Sequence, residues 1–182
     1  MDGKLWTVIE DRLDSNSAEL GAEGFARTFA DYEKGFGSLT GNHFIGLKNI
    51  NALTKAANMR LMVDMYNEDY DRRTGQFTTF QVAGPSDDYE LTIGGHNGSV
   101  GSSLVADSNG KPFSAKGKDN GGNGCPDKAK AGWWFSDEEG DCGTCNLNGP
   151  IDTDSFACDT ASGNEKGTTV TLYVTPNDYL ES

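Results

Sequence analysis

The residues best equipped for chemistry are four cysteines confined to one stretch of a 182-residue protein: Cys125, Cys142, Cys145 and Cys158. Cysteines serve as disulfides, as zinc ligands or as a redox pair, and each use has its own sequence surroundings. Zinc knuckles usually show two close-spaced cysteine pairs, whereas only Cys142-x-x-Cys145 is close here. A redox pair opens a helix in a βαβ unit, which the flanking Gly143, Asn146, Asn148 and Gly149 do not offer. Disulfides suit the surroundings better, because this part of the sequence has the fewest regular patterns and a cross-link helps most there. Closing loops of this size is worth roughly 3 kcal/mol each. Between the cysteines lies Gly132-Trp133-Trp134-Phe135. Each indole carries a large apolar area and one N–H that needs a partner when buried, so the pair is expected to anchor a core beside a cross-linked loop.

Catalytic groups are harder to find. His43 and His96 are far apart in sequence, and no serine or cysteine nucleophile motif accompanies either. Carboxylate pairs arise by chance in any acidic protein, so an enzyme is not expected. A formal net charge of −13 opposes association with phosphate backbones or an anionic membrane surface, so neither nucleic acid nor membrane insertion is expected. No apolar run approaches the length of a bilayer span, and Met1-Asp2-Gly3-Lys4 has no signal-peptide core.

The elements that must position these residues mix two periodicities. Leu5 to Ile9 alternates as a strand, and Phe25, Phe29 and Tyr32 recur at helical spacing within Glu23 to Lys34. Leu47, Ile50 and Leu53 mark a shorter helix. Arg60 to Tyr66, Phe77 to Val82, Tyr89 to Ile93 and Thr168 to Val174 read as strands. From Gly94 to Gly124 the Gly, Asn, Ser and Asp residues predict turns. No linker or repeat divides the sequence, and 24 glycines point to a loop-rich α+β domain over residues 1–182 rather than a helical bundle.

Gly132-Trp133-Trp134-Phe135, then Cys142 and, three residues on, Cys145-Asn146-Leu147-Asn148-Gly149, resembles the heart of the fibrinogen-related domain, the fibrinogen C-terminal globular domain. The likeness runs in order from Trp6 to Gly149, through Trp6-Thr7-Val8-Ile9 with Arg12, Asp31-Tyr32-Glu33-Lys34-Gly35-Phe36-Gly37, Gly46-Leu47-Lys48-Asn49-Ile50, and Asn109-Gly110-Lys111-Pro112-Phe113-Ser114. It implies a twisted, mainly antiparallel sheet, short flanking helices and a loop-rich C-terminal ligand-binding region. Family position pairs Cys125 with Cys142 and leaves Cys145 for Cys158. The cysteine-bearing segment that normally precedes the Trp6 strand is absent, so any oligomerisation is expected to run through missing N-terminal regions.

The resemblance also implies two sites. The family's calcium loop falls on residues 116–124, with Asp119 at the second aspartate position and Gly121 and Asn123 where carbonyl ligands lie. Gly117, flanked by Lys116 and Lys118, stands at the first aspartate position, so calcium is expected to bind weakly. The family's lectin members hold acetyl groups with a tyrosine, an aromatic residue, a basic residue and a histidine. Ala129, Phe135, Asp141 and Gly143 occupy those positions, and Thr144 and Asn146 adjoin them. Asn146 and Asn148 also suit turns. The insertion Ser136-Asp137-Glu138-Glu139-Gly140-Asp141 reads as an exposed tip, or as the source of a carboxylate for the Asp119 loop. The implied function is a secreted recognition module for carbohydrate or an extracellular protein, either lectin-like or adhesive.

Overall fold

A computed structural model of the protein describes residues 5–13, 24–151, 156–160 and 163–177. The strands form one antiparallel sheet in the order β2-β3-β1-β8-β4-β5-β6, with β7 paired to β8. These are β1 (Thr7–Arg12), β2 (Phe36–Gly37), β3 (His43–Phe44), β4 (Met59–Asn67), β5 (Arg72–Val82), β6 (Leu91–Gly98), β7 (Ala157–Thr160) and β8 (Gly163–Pro176). The β-branched run in β8 occupies the middle of the sheet, where it pairs with β1 on one side and β4 on the other. Its alternation buries Val170, Leu172 and Val174 on one face, the pattern of a strand covered on that side.

The helices are short. α1 (Phe29–Lys34) is half the length that its aromatic spacing predicts, because Thr28 has extended backbone and closes a reciprocal capping box with Asp31. Phe25 therefore lies outside the helix yet remains in the core, edge-on to Phe36 with ring centroids 5.1 Å apart. α2 (Leu47–Ala56) buries Leu47, Ile50 and Thr54, and Thr54 Oγ1 accepts the Val82 N–H at 3.2 Å, stapling the helix to β5. The strand expected from Leu5 runs instead from Thr7 to Arg12, with Leu5 exposed, and the strand expected from Tyr89 starts at Leu91 and continues through Gly98. The ladder with β5, which matches Gly75 to Gly98 and Gln76 to Asn97, outweighs the turn-forming residues there.

A register shift between Val8 and Glu10 breaks the alternation of β1, so Ile9 and Glu10 are both buried. Glu10 is fully enclosed and neither carboxyl oxygen has a protein partner. Desolvation pushes its pKa up to about 8, against the opposing pull of Arg12. Arg12 is buried too, but its Nη1 donates to the Leu147 and Gly149 carbonyls, both at 2.7 Å, and its guanidinium lies between the Phe25 and Phe156 rings. One buried cation thus ties β1 to the Asn-Leu-Asn-Gly stretch.

Candidate recognition cleft

The double tryptophan is scaffold. Trp133 exchanges backbone hydrogen bonds with Ser114, both 2.9 Å, and the two indoles meet edge-on at 5.4 Å. Trp134 Nε1 donates to the Tyr89 carbonyl at 2.8 Å, whereas Trp133 Nε1 has no protein acceptor. Gly132 is required by close approach: a β-carbon there would stand 2.6 Å from the Tyr32 ring. The Tyr32 hydroxyl accepts the Gly132 N–H at 3.1 Å, and Asn148 Nδ2 donates to the Gly132 carbonyl at 2.9 Å. Asn148 is therefore a buried strut. Cys125 is bonded to Cys142 and Cys145 to Cys158, which joins the short α3 (Cys125–Ala129), the loop after Phe135 and β7.

Over this scaffold opens a cleft of about 200 Å³, walled by Phe135, Gly143, Thr144 and Asn146 together with Lys128, Ala129, Cys142, Ala157 and Asn164. Of the five candidate ligand residues, Asp141 is the one outside this wall. Its Oδ1 instead accepts the Gly143 N–H at 2.9 Å, shaping the turn that follows. Asn146 Oδ1 takes the Asn148 N–H at 3.0 Å, while its Nδ2 is an enclosed donor with no acceptor. Apolar Ala129 and Phe135 thus share one wall with the hydroxyl of Thr144 and the amides of Asn146 and Asn164.

The Asp119 loop turns its carboxylate on itself. Oδ1 accepts the Gly122 N–H at 3.2 Å and Oδ2 the Gly124 N–H at 2.6 Å. Lys118 pairs with Asp88 and lies over the Phe29 ring. A loop offering one carboxylate, already engaged at both oxygens, fits poorly with a calcium ion that takes six to eight oxygens. The acidic insertion does touch this loop, but through backbone: Asn123 Nδ2 donates to the Glu138 carbonyl at 2.8 Å. Its Asp137 carboxylate pairs with Lys111, which holds the carboxyl below its usual range. No carboxylate of the described insertion is bonded to the Asp119 loop.

Residues 1–166 match the family model of the C-terminal globular domain of the fibrinogen beta and gamma chains. The protein belongs to this fibrinogen-related family. It is 34% identical over 178 residues to fibrinogen-like protein 1 of Rattus norvegicus, covering 89% of this sequence and 53% of that one. It is 38% identical over 157 residues to fibrinogen C domain-containing protein 1 of Homo sapiens, covering 81% and 31%. This fibrinogen-related protein spans about half or less of the length of these two relatives. The fibrinogen-like globe of human ANGPTL2 superposes with a TM-score of 0.82 at 27% identity, covering 97% of this structure and 82% of that one. A lamprey fibrin D-dimer complexed with the peptide Gly-His-Arg-Pro-amide shares the fold, with a TM-score of 0.81 at 22% identity and coverage of 100% and 64%.

The fibrinogen-related cleft also depends on a residue that sequence patterns did not single out. Asp107, in a π-helical turn at Leu104–Ser108, accepts the Thr144 N–H at 2.8 Å and stands against Gly143. A lone aspartate in a turn-rich stretch carries no periodic signal. The histidines lie away from this wall. His43 Nδ1 is bonded to the Gly41 carbonyl at 3.0 Å, and His96 Nε2 to the Val100 carbonyl at 2.9 Å. Among the described residues no helix is long and apolar enough to cross a membrane.

Proposed function

We propose that this fibrinogen-related domain is a secreted recognition module whose cleft accepts the acetyl-bearing group of a saccharide. The observation that carries the reading is the convergence of Phe135, Gly143, Thr144 and Asn146 on one wall, fixed by two disulfides and by Asp107. Its volume is below the roughly 300 Å³ at which drug-sized pockets begin, which favours one substituent of a sugar over an extended ligand. Two disulfides accord with folding in an oxidising compartment. On an array of acetylated and non-acetylated glycans, acetylated ones should be retained, and Thr144→Trp, which fills the cleft from an exposed position, should weaken retention at least tenfold with an unchanged melting temperature. An array that stays blank, or binding indifferent to Thr144→Trp, would favour an adhesive module that uses another surface.

The Asp119 loop, on this reading, holds its shape without calcium. Stabilisation by a ligand follows RT ln(1 + [L]/Kd), so a weak site adds little. Chelation is expected to leave the melting temperature within about 1 °C. A large calcium-dependent rise would reinstate Asp119, Gly121 and Asn123 as ligands.

A further inference from the structure

Asn97-Gly98-Ser99 is the one Asn-x-Ser/Thr triplet of the sequence, x being any residue but proline. It falls at the end of β6, the last strand on one side of the sheet. Successive side chains of a strand point to opposite faces. His96 turns to the packed face, its ring 5.1 Å from that of Phe77 and its Nε2 on the Val100 carbonyl, so Asn97 is sent to the other face, where it is exposed. Gln76, its partner across the ladder, is exposed as well. The other four asparagines that precede a glycine are each tied to backbone by their side chains: Asn109 to the Ile93 N–H, Asn120 to the Phe113 carbonyl, Asn123 to the Glu138 carbonyl and Asn148 to the Gly132 carbonyl. The Asn97 side chain makes no hydrogen bond among the described residues. It therefore has no part in shaping its turn. Ser99 fixes the backbone instead, with its N–H on the Thr74 carbonyl at 2.7 Å and its Oγ accepting the Thr74 N–H at 3.1 Å.

We propose that Asn97 carries an N-linked oligosaccharide. The proposal rests on the secreted reading given above, because this modification belongs to the secretory route. In the transfer, Asn97 Nδ2 bonds to C1 of the first sugar of a lipid-diphosphate-linked oligosaccharide. The bond from C1 to the diphosphate oxygen breaks, the lipid diphosphate leaves with the electron pair, and the amide gives up one proton. Ser99 supplies the hydroxyl that the triplet requires, in the unfolded chain and before it engages Thr74. The folded domain then holds the sugar in solvent, on a residue that is not part of the recognition cleft. Among the described residues no strand lies beyond β6. An edge of this kind presents backbone groups that another extended chain can join, and a bulky hydrated group beside it blocks that approach. The glycan thus guards the end of the sheet and leaves the cleft open.

The test is expression of the protein behind a secretory signal peptide in cultured insect or mammalian cells, followed by intact-mass measurement and peptide mapping with and without peptide-N-glycosidase. Digestion in heavy-oxygen water marks the asparagine that carried sugar and separates it from spontaneous deamidation, to which Asn-Gly pairs are prone. The expected result is a mass above that of the polypeptide, lost on digestion and mapped to Asn97. Asn97→Gln and Ser99→Ala should each abolish the added mass, while Ser99→Thr, which keeps the hydroxyl, should retain it. A bare Asn97 in the protein recovered from the medium, or added sugar that persists in Asn97→Gln, would overturn the proposal. Reduced cysteines in the same peptide map would count against the secreted reading, whereas intact disulfides beside a bare Asn97 would count against the glycan alone.

Discussion

Serine at both Cys125 and Cys142 is expected to lower the unfolding free energy by about 3 kcal/mol. The bridge closes a loop with a sequence separation of 17 residues, and that loop carries Trp133, Trp134 and Phe135 into the core. Free of the link, the unfolded state gains the closure entropy while the folded loop keeps its Ser114 ladder and the Asn148 strut. For a domain of this size each kcal/mol corresponds to about 2–4 °C, so the double variant should melt roughly 6–12 °C lower. Its near-ultraviolet circular dichroism should weaken at the tryptophan bands. An unchanged denaturation midpoint would mean that the hydrogen bonds alone fix the loop.

The second large effect concerns pH. Glu10 titrates near 8 in the folded protein, from an ordinary value of 4.5, so across that window the folded state keeps a proton that the unfolded state has lost. Its contribution is fully present below pH 4.5 and is lost as pH rises through 8. At about 1.4 kcal/mol per pH unit, the loss sums to roughly 5 kcal/mol. Glu10→Gln keeps the shape and removes the charge. The variant should show little of the decline from pH 5 to 8 and should be the more stable protein above pH 8. Parallel stability curves for the two proteins would mean that the carboxyl is not desolvated as its burial indicates.

Much of this was legible in the residues. The β-branched run in β8 and the alternation in β4 follow directly from a period of two, and the aromatic cluster around the tryptophans follows from size and polarity. The inward turn of Glu10 was not legible, because alternation places Ile9 and Glu10 on opposite faces and only the register shift against β8 buries both. The short α1 had a readable signal in Thr28 and Asp31, but aromatic spacing alone extended the helix past it. In the cleft wall, Phe135, Gly143, Thr144 and Asn146 are named from the family pattern, whereas Lys128, Ala157 and Asn164 carry no signal in the sequence. Asp107 carries none either, since its role comes from a loop contact 37 residues away. Asp141 has the reverse history: its position in the family pattern suggests a ligand contact, yet its own backbone two residues on takes the carboxylate first.

The recognition cleft can be tested most directly by nuclear magnetic resonance, following backbone amides of the isotopically labelled domain as N-acetylglucosamine is added. Saturable shifts centred on Gly143, Thr144, Asn146 and Asn164, with little change at exposed positions such as Lys55 and Leu39, are the predicted result. Saturable shifts centred elsewhere, or none while an acetylated glycan still binds, would contradict the assignment of this cleft as the ligand site.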